Sequence, residues 1–334
     1  MPTRCVFNVI WDDAAVALCA SRPGNPFQNH RWVRAVAAAR ARAHRFVAVQ
    51  AQRDAASPAY LFGGLHRRAG FSVFEAMPMG AYGRWLSEAP LLAHEERTLT
   101  EQCLRWVPWA VVRLTSEPGR AADLPLAGSW PLPAGLRQRL AGRDFETHVL
   151  DLTADDDARL KRVKPNVRSY LRRVDTLGYR FQLGGPGALA DFCDWYRRGS
   201  QGWEGIASAL MPDSFFEALQ CEGGMDIWRV DHDGKAVGAA AFLLGRDQVQ
   251  YQASGTAKVA GPVSAMDALL WVAARHYRER GMHSMNLGAS EGLSGVRRFK
   301  EKFGAVAFAY RCETYLLPRV RGRLLAQRNT GRPA

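Results

Sequence analysis

The stretch Asn286–Ala305, NLGASEGLSGVRRFKEKFGA, carries the strongest local pattern in this 334-residue chain. It begins at the end of a strand-like run, His283–Leu287, and the Gly and Ser residues that follow predict a tight turn. Phe299 and Phe303 then recur at a spacing of four, which is typical of the apolar face of a short helix. The stretch therefore predicts a strand, a turn and a helix that presents Arg297, Arg298, Lys300 and Lys302.

On either side of this stretch, the two halves of the chain repeat one order of elements. In each half the hydrophobic patterns predict a helix, a meander of three strands, a second helix and one further strand. The predicted helices span residues 26–42 and 91–107 in the first half, and 213–221 and 262–280 in the second. Asn25 and Pro26 are suited to begin the first helix, and Gly281 to end the last. The sequence therefore predicts an α/β (α+β) fold in two similar halves.

Positive charge exceeds negative charge along the chain. Lysine and arginine number 45 against 32 aspartate and glutamate residues, which gives a formal net charge of +13. Such an excess favours a polyanionic partner, for example nucleic acid, a phosphorylated cofactor or an anionic surface. A charge that only maintains solubility is the equal alternative.

The excess is densest between the two halves, in Ala158–Arg180, where eight basic residues stand against Asp175 alone. Pro165 suits the first turn of a helix, and apolar residues follow it at helical spacing. We therefore expect a basic helix over residues 158–178 that docks by one face. Its charged face is either a solvated surface or a binding surface for an anion.

Several classes of protein are excluded. No apolar run approaches the ~20 residues of a membrane helix, and the N-terminus lacks the pattern of a signal peptide. The six cysteines form no C-x-x-C pair and the eight histidines no metal-binding motif, so we expect reduced thiols, no metal and a cytoplasmic location. Neither a P-loop nor a dinucleotide-binding glycine motif occurs.

Two glycine-containing motifs remain. Gly288–Gly292 matches G-x-S-x-G, but a serine hydrolase of that type needs an acid and a histidine downstream, and neither Asp nor His follows Ser290. We therefore expect a glycine-rich turn whose backbone amides meet a ligand. Gln252–Ala257 matches Q-x-x-G-x-A and resembles the pyrophosphate loop of GNAT acyltransferases, in which a helix N-terminus binds phosphate.

The order of four further motifs gives the chain, from Pro26 to Leu317, a resemblance to the Fem-type transferases, a superfamily built from two GNAT-like lobes. The motifs are Pro26-Phe27-Gln28 with Trp32, Lys164–Arg168 with Arg172 and Gly178, Gly202–Gly205, and Phe299-Lys300 with Phe303-Gly304. The resemblance implies two tandem GNAT-like lobes, each a mixed, mostly antiparallel sheet flanked by helices. Residues 1–147 would form the first lobe, residues 148–318 the second, and residues 319–334 a basic tail.

The resemblance also implies a reaction, the transfer of an activated acyl or aminoacyl group to a primary amine with formation of an amide bond. An aminoacyl-tRNA donor is slightly favoured because it uses the positive charge, and tRNA is then the partner. Acyl-coenzyme A is the alternative donor, and a non-catalytic RNA- or anion-binding protein is the second alternative. Either donor is a co-substrate, no cofactor is permanently bound, and the acceptor is a small-molecule or peptide amine.

The roles of individual residues follow from the same resemblance. Lys300 would be the cation beside the developing oxyanion or the donor's phosphate, and Phe299 completes the catalytic pair. Glu204, Asp267 and Glu291 are candidate general bases. The residues expected to bind donor or acceptor are Lys164, Arg168, Arg172, Tyr251, Ser254, Gly255, Ser290, Glu291, Arg297 and Arg298.

Overall fold

A computed structural model describes residues 5–22, 24–40, 43–53, 56–79, 81–121, 124–125, 142–200, 210–221, 223–257, 264–290 and 293–317. Their contacts divide the chain into two compact units. The first unit contains the described residues of 1–145 and of 309–334, and the second contains those of 146–308. The last strand thus groups with the first unit, whereas the resemblance assigned all residues up to 318 to the second lobe.

The first unit is a six-stranded sheet with flanking helices. Its strands are β1 (Val6–Trp11), β2 (Arg45–Arg53), β3 (Ala56–Arg68), β4 (Phe71–Ala76), β5 (Val111–Thr115) and most of β12 (Val306–Leu316). Its helices are α1 (Asp12–Ala20), α2 (His30–Arg40) and α3 (Ala93–Trp106). The strand order is β1-β2-β3-β4-β5-β12, and only β4 and β5 are parallel.

The second unit has a sheet of the same design. Its strands are most of β6 (Arg143–Asp151), β7 (Tyr179–Leu183), β8 (Met225–His232), β9 (Lys235–Leu244), β10 (Gln248–Thr256) and β11 (Ser284–Ala289). Its helices are α4 (Asp156–Arg162), α5 (Pro165–Leu171), α6 (Ala188–Ser200), α7 (Asp213–Gln220), α8 (Ala265–Glu279) and α9 (Ser294–Glu301). The strand order is β6-β11-β10-β9-β8-β7, and only β10 and β11 are parallel.

Each unit therefore has four antiparallel strands in sequence, a fifth strand parallel to the fourth, and a sixth strand antiparallel to the fifth. Parallel neighbours require a crossover connection, and α3 and α8 lie in those connections. The predicted fold of two similar lobes, each a mixed and mostly antiparallel sheet flanked by helices, is confirmed.

Local signals placed the elements of the second unit well. Asp233 and Gly234 have φ of +51° and +75°, as a two-residue hairpin turn between β8 and β9 requires. Helix α8 is capped by Ser264, whose hydroxyl accepts from the Asp267 backbone N–H at 3.1 Å. It ends at Glu279 with Arg280 as its C-cap, and Gly281 follows in the left-handed conformation, as predicted, with φ of +80°. Its apolar stripe, including Leu270 and Tyr277, is buried in the core of this unit.

The start of the first predicted helix is wrong by four residues. Asn25 does not cap it, because its Oδ1 accepts from the backbone N–H groups of Phe27 and Gln28 and so closes a turn. Helix α2 begins at His30 instead. Its cap is Asn29, whose Oδ1 accepts from Trp32 N at 2.9 Å.

The single basic helix expected over residues 158–178 is also wrong. Helix α4 ends at Arg162, and Val163 and Lys164 are extended, with ψ of 142° and 140°. The cause is Pro165, because a proline disfavours the helical conformation of the residue before it. Helix α5 then begins at that proline, and a 3-10 turn, Val174–Thr176, leads into β7.

Candidate active site

Strands β10 and β11 part within the second unit. The parallel pairing runs from Gln248 opposite Ser284 to Gln250 opposite Asn286. Both strands continue beyond this point, but they no longer pair with each other. Strand β10 bends away at a bulge after Tyr251, where its register with β9 shifts. Beyond the last pair, the facing backbone groups of the two strands can accept an extended ligand between them.

The other edge of β11 carries a bulge at the same level. Asn286 pairs with Val149 of β6, and Ala289 pairs with Thr147, so that two residues of β11 lie opposite His148 alone. A bulge of this kind redirects the strand and often lies beside a functional site.

Buried polar groups fix this bulge. Gly288 has φ of +78°, a conformation that favours glycine. The fully buried Asn286 accepts at Oδ1 from Gly288 N at 2.8 Å and from the Thr147 hydroxyl at 2.6 Å. The backbone at the end of β11 is therefore held by side-chain hydrogen bonds.

Lys300 of α9 holds the same turn. Its Nζ donates to the carbonyl oxygens of Gly288 and Ala289, both at 2.7 Å, and the residue is 3% exposed. Burying an ammonium is unfavourable unless it is hydrogen-bonded, and these two carbonyls supply partners. The structure thus brings the sequence-predicted cation to the point where β10 and β11 part.

A second buried pair lies beside Lys300. The hydroxyl oxygen of Ser290 is 3.4 Å from Nδ1 of His148, and the two residues are 6% and 0% exposed. On the other side of the imidazole, Nε2 is 3.9 Å from a carboxylate oxygen of Glu146. Burial and, secondarily, the positive charge of Lys300 lower the pKa of His148. The imidazole is therefore neutral at pH 7.

Gln250 lies at the last paired position of β10. Its Nε2 donates to the carbonyl oxygen of Tyr251 at 3.0 Å, and its buried Oε1 has no hydrogen-bond partner among the described residues. A Cβ on Gly288 would lie 3.4 Å from that Nε2, so the amide fills the space beside the bulge. An unsatisfied buried acceptor at this point can receive a donor from a ligand.

Tyr251 follows Gln250 on β10, and its predicted role in binding a ligand stays a prediction. Its hydroxyl contacts that of Ser254 and lies 3.7 Å from the sulfur of Met266. Burial raises the pKa of Tyr251 to about 12, so the phenol is neutral at pH 7. Two of the predicted binding residues thus bond to each other.

Residues 252–257 do not form a pyrophosphate loop. They continue the antiparallel ladder with β9, and Ala257 N donates to Val237 O at 2.8 Å. Gly255 is instead required by packing, because a Cβ there would lie 1.8 Å from the carbonyl oxygen of Trp195 in α6. A strand in a ladder has no free helix-terminal amides to offer a phosphate, so that expectation is corrected.

The general base expected at Asp267 is not supported. Its carboxylate lies 2.5 Å from Nζ of Lys302 and is thereby paired. The same ammonium lies 4.6 Å from the ring centre of Phe299, which packs edge-on against Phe303 in the core. Phe299 is thus a packing residue here, and the other two candidate bases, Glu204 and Glu291, lie outside the described residues.

The predicted anion-binding residues divide into two groups. Lys164 and Arg172 are exposed, and the backbone N–H of Lys164 donates to Lys302 O at 2.9 Å, which joins the start of α5 to the end of α9. Arg168 instead donates to the carbonyl oxygens of Lys161 and Val163 at 2.8 to 3.1 Å. It caps the end of α4, and its predicted phosphate contact stays a prediction.

Arg297 and Arg298 lie on the exposed side of α9. Arg297 pairs with Glu301 at 2.8 Å and with Glu146 at 3.5 Å. Arg298 donates to the carbonyl oxygen of Ser294. Their predicted part in binding the donor or acceptor stays a prediction.

Sequence reasoning missed four buried polar residues at the bulge. They are Thr147, His148, Gln250 and Asn286. Each stands in a strand-like run, where a polar residue is ordinarily expected to face solvent. His148 lies 142 positions before Ser290, so only the fold brings the two together.

Comparison with known proteins finds similarity in both sequence and structure. Residues 161–301 match the sequence profile of a family described as an acetyltransferase (GNAT) domain. The chain is similar in structure to FemX, with a TM-score of 0.64 and 12% identity over 96% of this chain and 99% of that one. No curated protein matches it by sequence.

Two further solved structures share the fold. One is the C-terminal domain (DUF2156) of a protein described as a lysylphosphatidylglycerol synthetase from Agrobacterium fabrum, with a TM-score of 0.52, 16% identity and coverage of 93% of this chain and 94% of that one. The other is L-PGS from Bacillus licheniformis, with a TM-score of 0.50, 16% identity and coverage of 96% of each.

In sequence, residues 161–301 are therefore similar to a GNAT acetyltransferase domain. The chain as a whole shares the fold of FemX, which confirms the predicted resemblance at the level of fold. Within the described ranges, every helix is too short or too polar to span a lipid bilayer.

Proposed function

We propose that this protein joins an activated acyl group to a primary amine, and that the donor is an aminoacyl-tRNA. The observation that carries the proposal is the position of Lys300, a buried ammonium at the place where β10 and β11 stop pairing. The GNAT match of residues 161–301 supports acyl transfer in general. The choice of donor rests on charge and on the Fem-type resemblance.

Amide formation by direct transfer needs a positioned carbonyl, a neutral amine and stabilisation of the oxyanion. An acyl group between the two strands would take up their unpaired backbone groups. Its carbonyl oxygen would then develop negative charge close to the ammonium of Lys300, in a site screened from water. A fixed donor of this kind is typically worth on the order of 10²–10³ in rate.

The exposed basic residues of the α4–α5 segment support a polyanionic donor. Four of them form no ion pair with any acidic side chain in the described part of the chain. Like charges that are not paired in this way repel one another. The backbone bond from Lys164 to Lys302 connects this segment to α9, which carries Lys300. The four residues are Lys161, Lys164, Arg172 and Arg173.

Acyl-coenzyme A is the second candidate donor, because the family matched by residues 161–301 is described as an acetyltransferase. It needs only one phosphate pocket and leaves most of the basic segment without a role. The two donors therefore predict different dependence on salt and on surface charge.

Binding to a bulk tRNA mixture and to coenzyme A, measured over a range of salt concentrations, separates the two donors. We expect tRNA to bind with strong salt dependence, and the variant Lys164→Gln/Arg172→Gln to lower the slope of log K against log salt by about 2. The control is Arg197→Gln/Arg229→Gln, which removes the same charge from residues that are already paired with aspartates. Thermal stabilisation by coenzyme A without any tRNA binding would overturn the donor assignment.

Transfer itself is tested with radiolabelled aminoacyl-tRNA and acetyl-coenzyme A, each against a panel of primary amines. The proposal predicts amide product from the aminoacyl ester. If only acetyl-coenzyme A gives product, the donor is acyl-coenzyme A and not aminoacyl-tRNA. If neither donor gives product, the proposed reaction is wrong.

A further inference from the structure

The pair formed by His148 and Ser290 has no part in the function proposed above, yet it is among the most buried polar contacts of the second unit. The hydroxyl lies 3.4 Å from Nδ1, and the imidazole is fully buried. Its Nε2 has no hydrogen-bond partner among the described residues. A buried polar atom without a hydrogen-bond partner lowers the stability of the fold, so its presence here calls for an explanation.

The pair stands next to the groups already assigned to the site. Ser290 directly follows Ala289, whose carbonyl oxygen is one of the two that accept a hydrogen bond from Lys300. His148 lies on β6 opposite the bulge that contains Gly288. Ser290 is thus the next residue in sequence after one whose carbonyl oxygen binds the ammonium that marks the proposed position of the oxyanion.

The surroundings fix how the imidazole carries its proton. The charged groups that face it are Glu146 on β6 and Arg297, Lys300 and Glu301 on α9. A carboxylate oxygen of Glu146 lies 3.9 Å from Nε2 and favours the tautomer with the proton on that nitrogen. Nδ1 is then an acceptor for the Ser290 hydroxyl.

We propose that Ser290 and His148 form a proton relay that takes the proton released by the amine when it attacks the acyl group. Ser290 touches the amine and is the catalytic residue, whereas His148 acts through it as a positioning and proton-holding residue. This inference rests on the proposed function.

The step balances as follows. The amine nitrogen forms a bond to the acyl carbon, and the carbonyl electron pair moves to oxygen. One N–H proton passes to Ser290 Oγ while the hydroxyl proton passes to His148 Nδ1. The carbonyl then re-forms, the ester bond breaks, and the proton returns along the same path to the leaving oxygen, which restores neutral His148.

A covalent role for Ser290 fits the structure less well. In a nucleophile elbow the serine occupies a strained turn, but the left-handed residue of this turn is Gly288, and Ser290 is not among the residues with positive φ. An acyl group trapped on Ser290 in mass spectra of the protein incubated with donor would overturn the relay.

The first test is kinetic. We expect Ser290→Ala and His148→Gln to lower kcat by about 10²–10⁴ with little change in the donor KM, and Ser290→Thr to restore part of the rate because it keeps the hydroxyl. At pH values below both pKa values, log kcat/KM for the wild type rises with slope two, one unit for the amine and one for His148. His148→Gln leaves slope one.

The matched controls are Ser200→Ala and His276→Gln. Ser200 is a buried serine whose hydroxyl donates to the Arg197 carbonyl in α6, and His276 packs against Trp228. Both variants should keep the wild-type slope. A protein that transfers the acyl group but whose His148→Gln variant keeps rate and slope overturns the relay alone, whereas a wild type that transfers from neither donor overturns the proposed function and the relay with it.

The second test needs no donor. In ¹⁵N-histidine NMR spectra of the unliganded protein, assigned with His148→Gln, we expect Nδ1 of His148 to be unprotonated at pH 7 and to shift in Ser290→Ala. A protonated imidazole, or a proton on Nδ1, would contradict the relay whatever the reaction proves to be.

Discussion

Lys300 and Gly288 are joined by a hydrogen bond of 2.7 Å from the ammonium to a carbonyl oxygen, and the glycine has φ of +78°. The left-handed glycine turns its carbonyl toward α9, and the buried lysine is then held by this oxygen and by that of Ala289. The cation and the strand end are therefore one structural feature. A change in either must affect both stability and the site.

Lys300→Met keeps the length of the side chain and removes its charge and hydrogen bonds. It leaves two carbonyl oxygens without their ammonium partner, so we expect the free energy of unfolding to fall by about 1–3 kcal/mol. Transfer should fall by about 10²–10³ because the positive charge is lost. Urea denaturation and the initial rate of amide formation measure the two effects.

Lys235→Met is the matched control, because Lys235 begins β9 at an exposed position. It should change neither quantity appreciably. Wild-type transfer by a folded Lys300→Met protein would remove Lys300 from the mechanism.

Substitution by alanine is expected to have opposite effects on stability at Gly255 and at Gly295. A Cβ at Gly255 would lie 1.8 Å from the Trp195 carbonyl oxygen in α6, so Gly255→Ala must displace that helix. We expect loss of more than about 3 kcal/mol of stability, or no soluble protein. Gly295 lies in α9 with no atom near its added Cβ, and Gly295→Ala should be neutral or stabilising by up to about 1 kcal/mol. Equal melting temperatures for the two variants would contradict this packing.

Much of the order of elements was predictable because its signals are local, although β1, α1, β7 and α6 were not predicted from the sequence. Hydrophobic periodicity, the Asp233-Gly234 turn and the Gly281 cap each act over a few residues, and each is found where expected. The prediction of one basic helix failed because charge and apolar stripe are continuous across Pro165, whereas proline disfavours the helical conformation of the residue before it.

The site was only partly predictable. Lys300 lies in a recognisable motif, but the buried polar groups that surround it lie on strands. His148 is 142 residues from Ser290, and Asn286 acts through a bulge that no sequence pattern marks. Charge also misled, since Arg168 carries the expected sign but donates to carbonyl oxygens of its own segment.

Arg168 and Arg172 should therefore behave differently when substituted. Arg168→Ala removes the hydrogen bonds that cap α4, so we expect a loss of about 1–2 kcal/mol in unfolding free energy. Arg172→Ala removes an exposed charge and should leave stability within about 0.5 kcal/mol while weakening tRNA binding. Thermal melts and filter binding on both variants decide this. If both variants lost the same unfolding free energy, the hydrogen bonds of Arg168 to the end of α4 would not contribute to stability.

Asp151 makes the stability of the second unit depend on pH. Hydrogen bonds from Thr153 and, secondarily, from Arg162 hold the pKa of this carboxyl at about 2, below its unfolded value near 3.9. The ionised form is therefore favoured by folding, and its contribution is present above about pH 4 and lost as pH falls toward 2. Asp151→Asn cannot ionise, so the wild type should exceed it in unfolding free energy at pH 7, by less than about 1 kcal/mol because the pair is solvent-screened. Urea denaturation from about pH 7 to about pH 2.5 should show this difference closing, and a difference independent of pH would disprove the assignment.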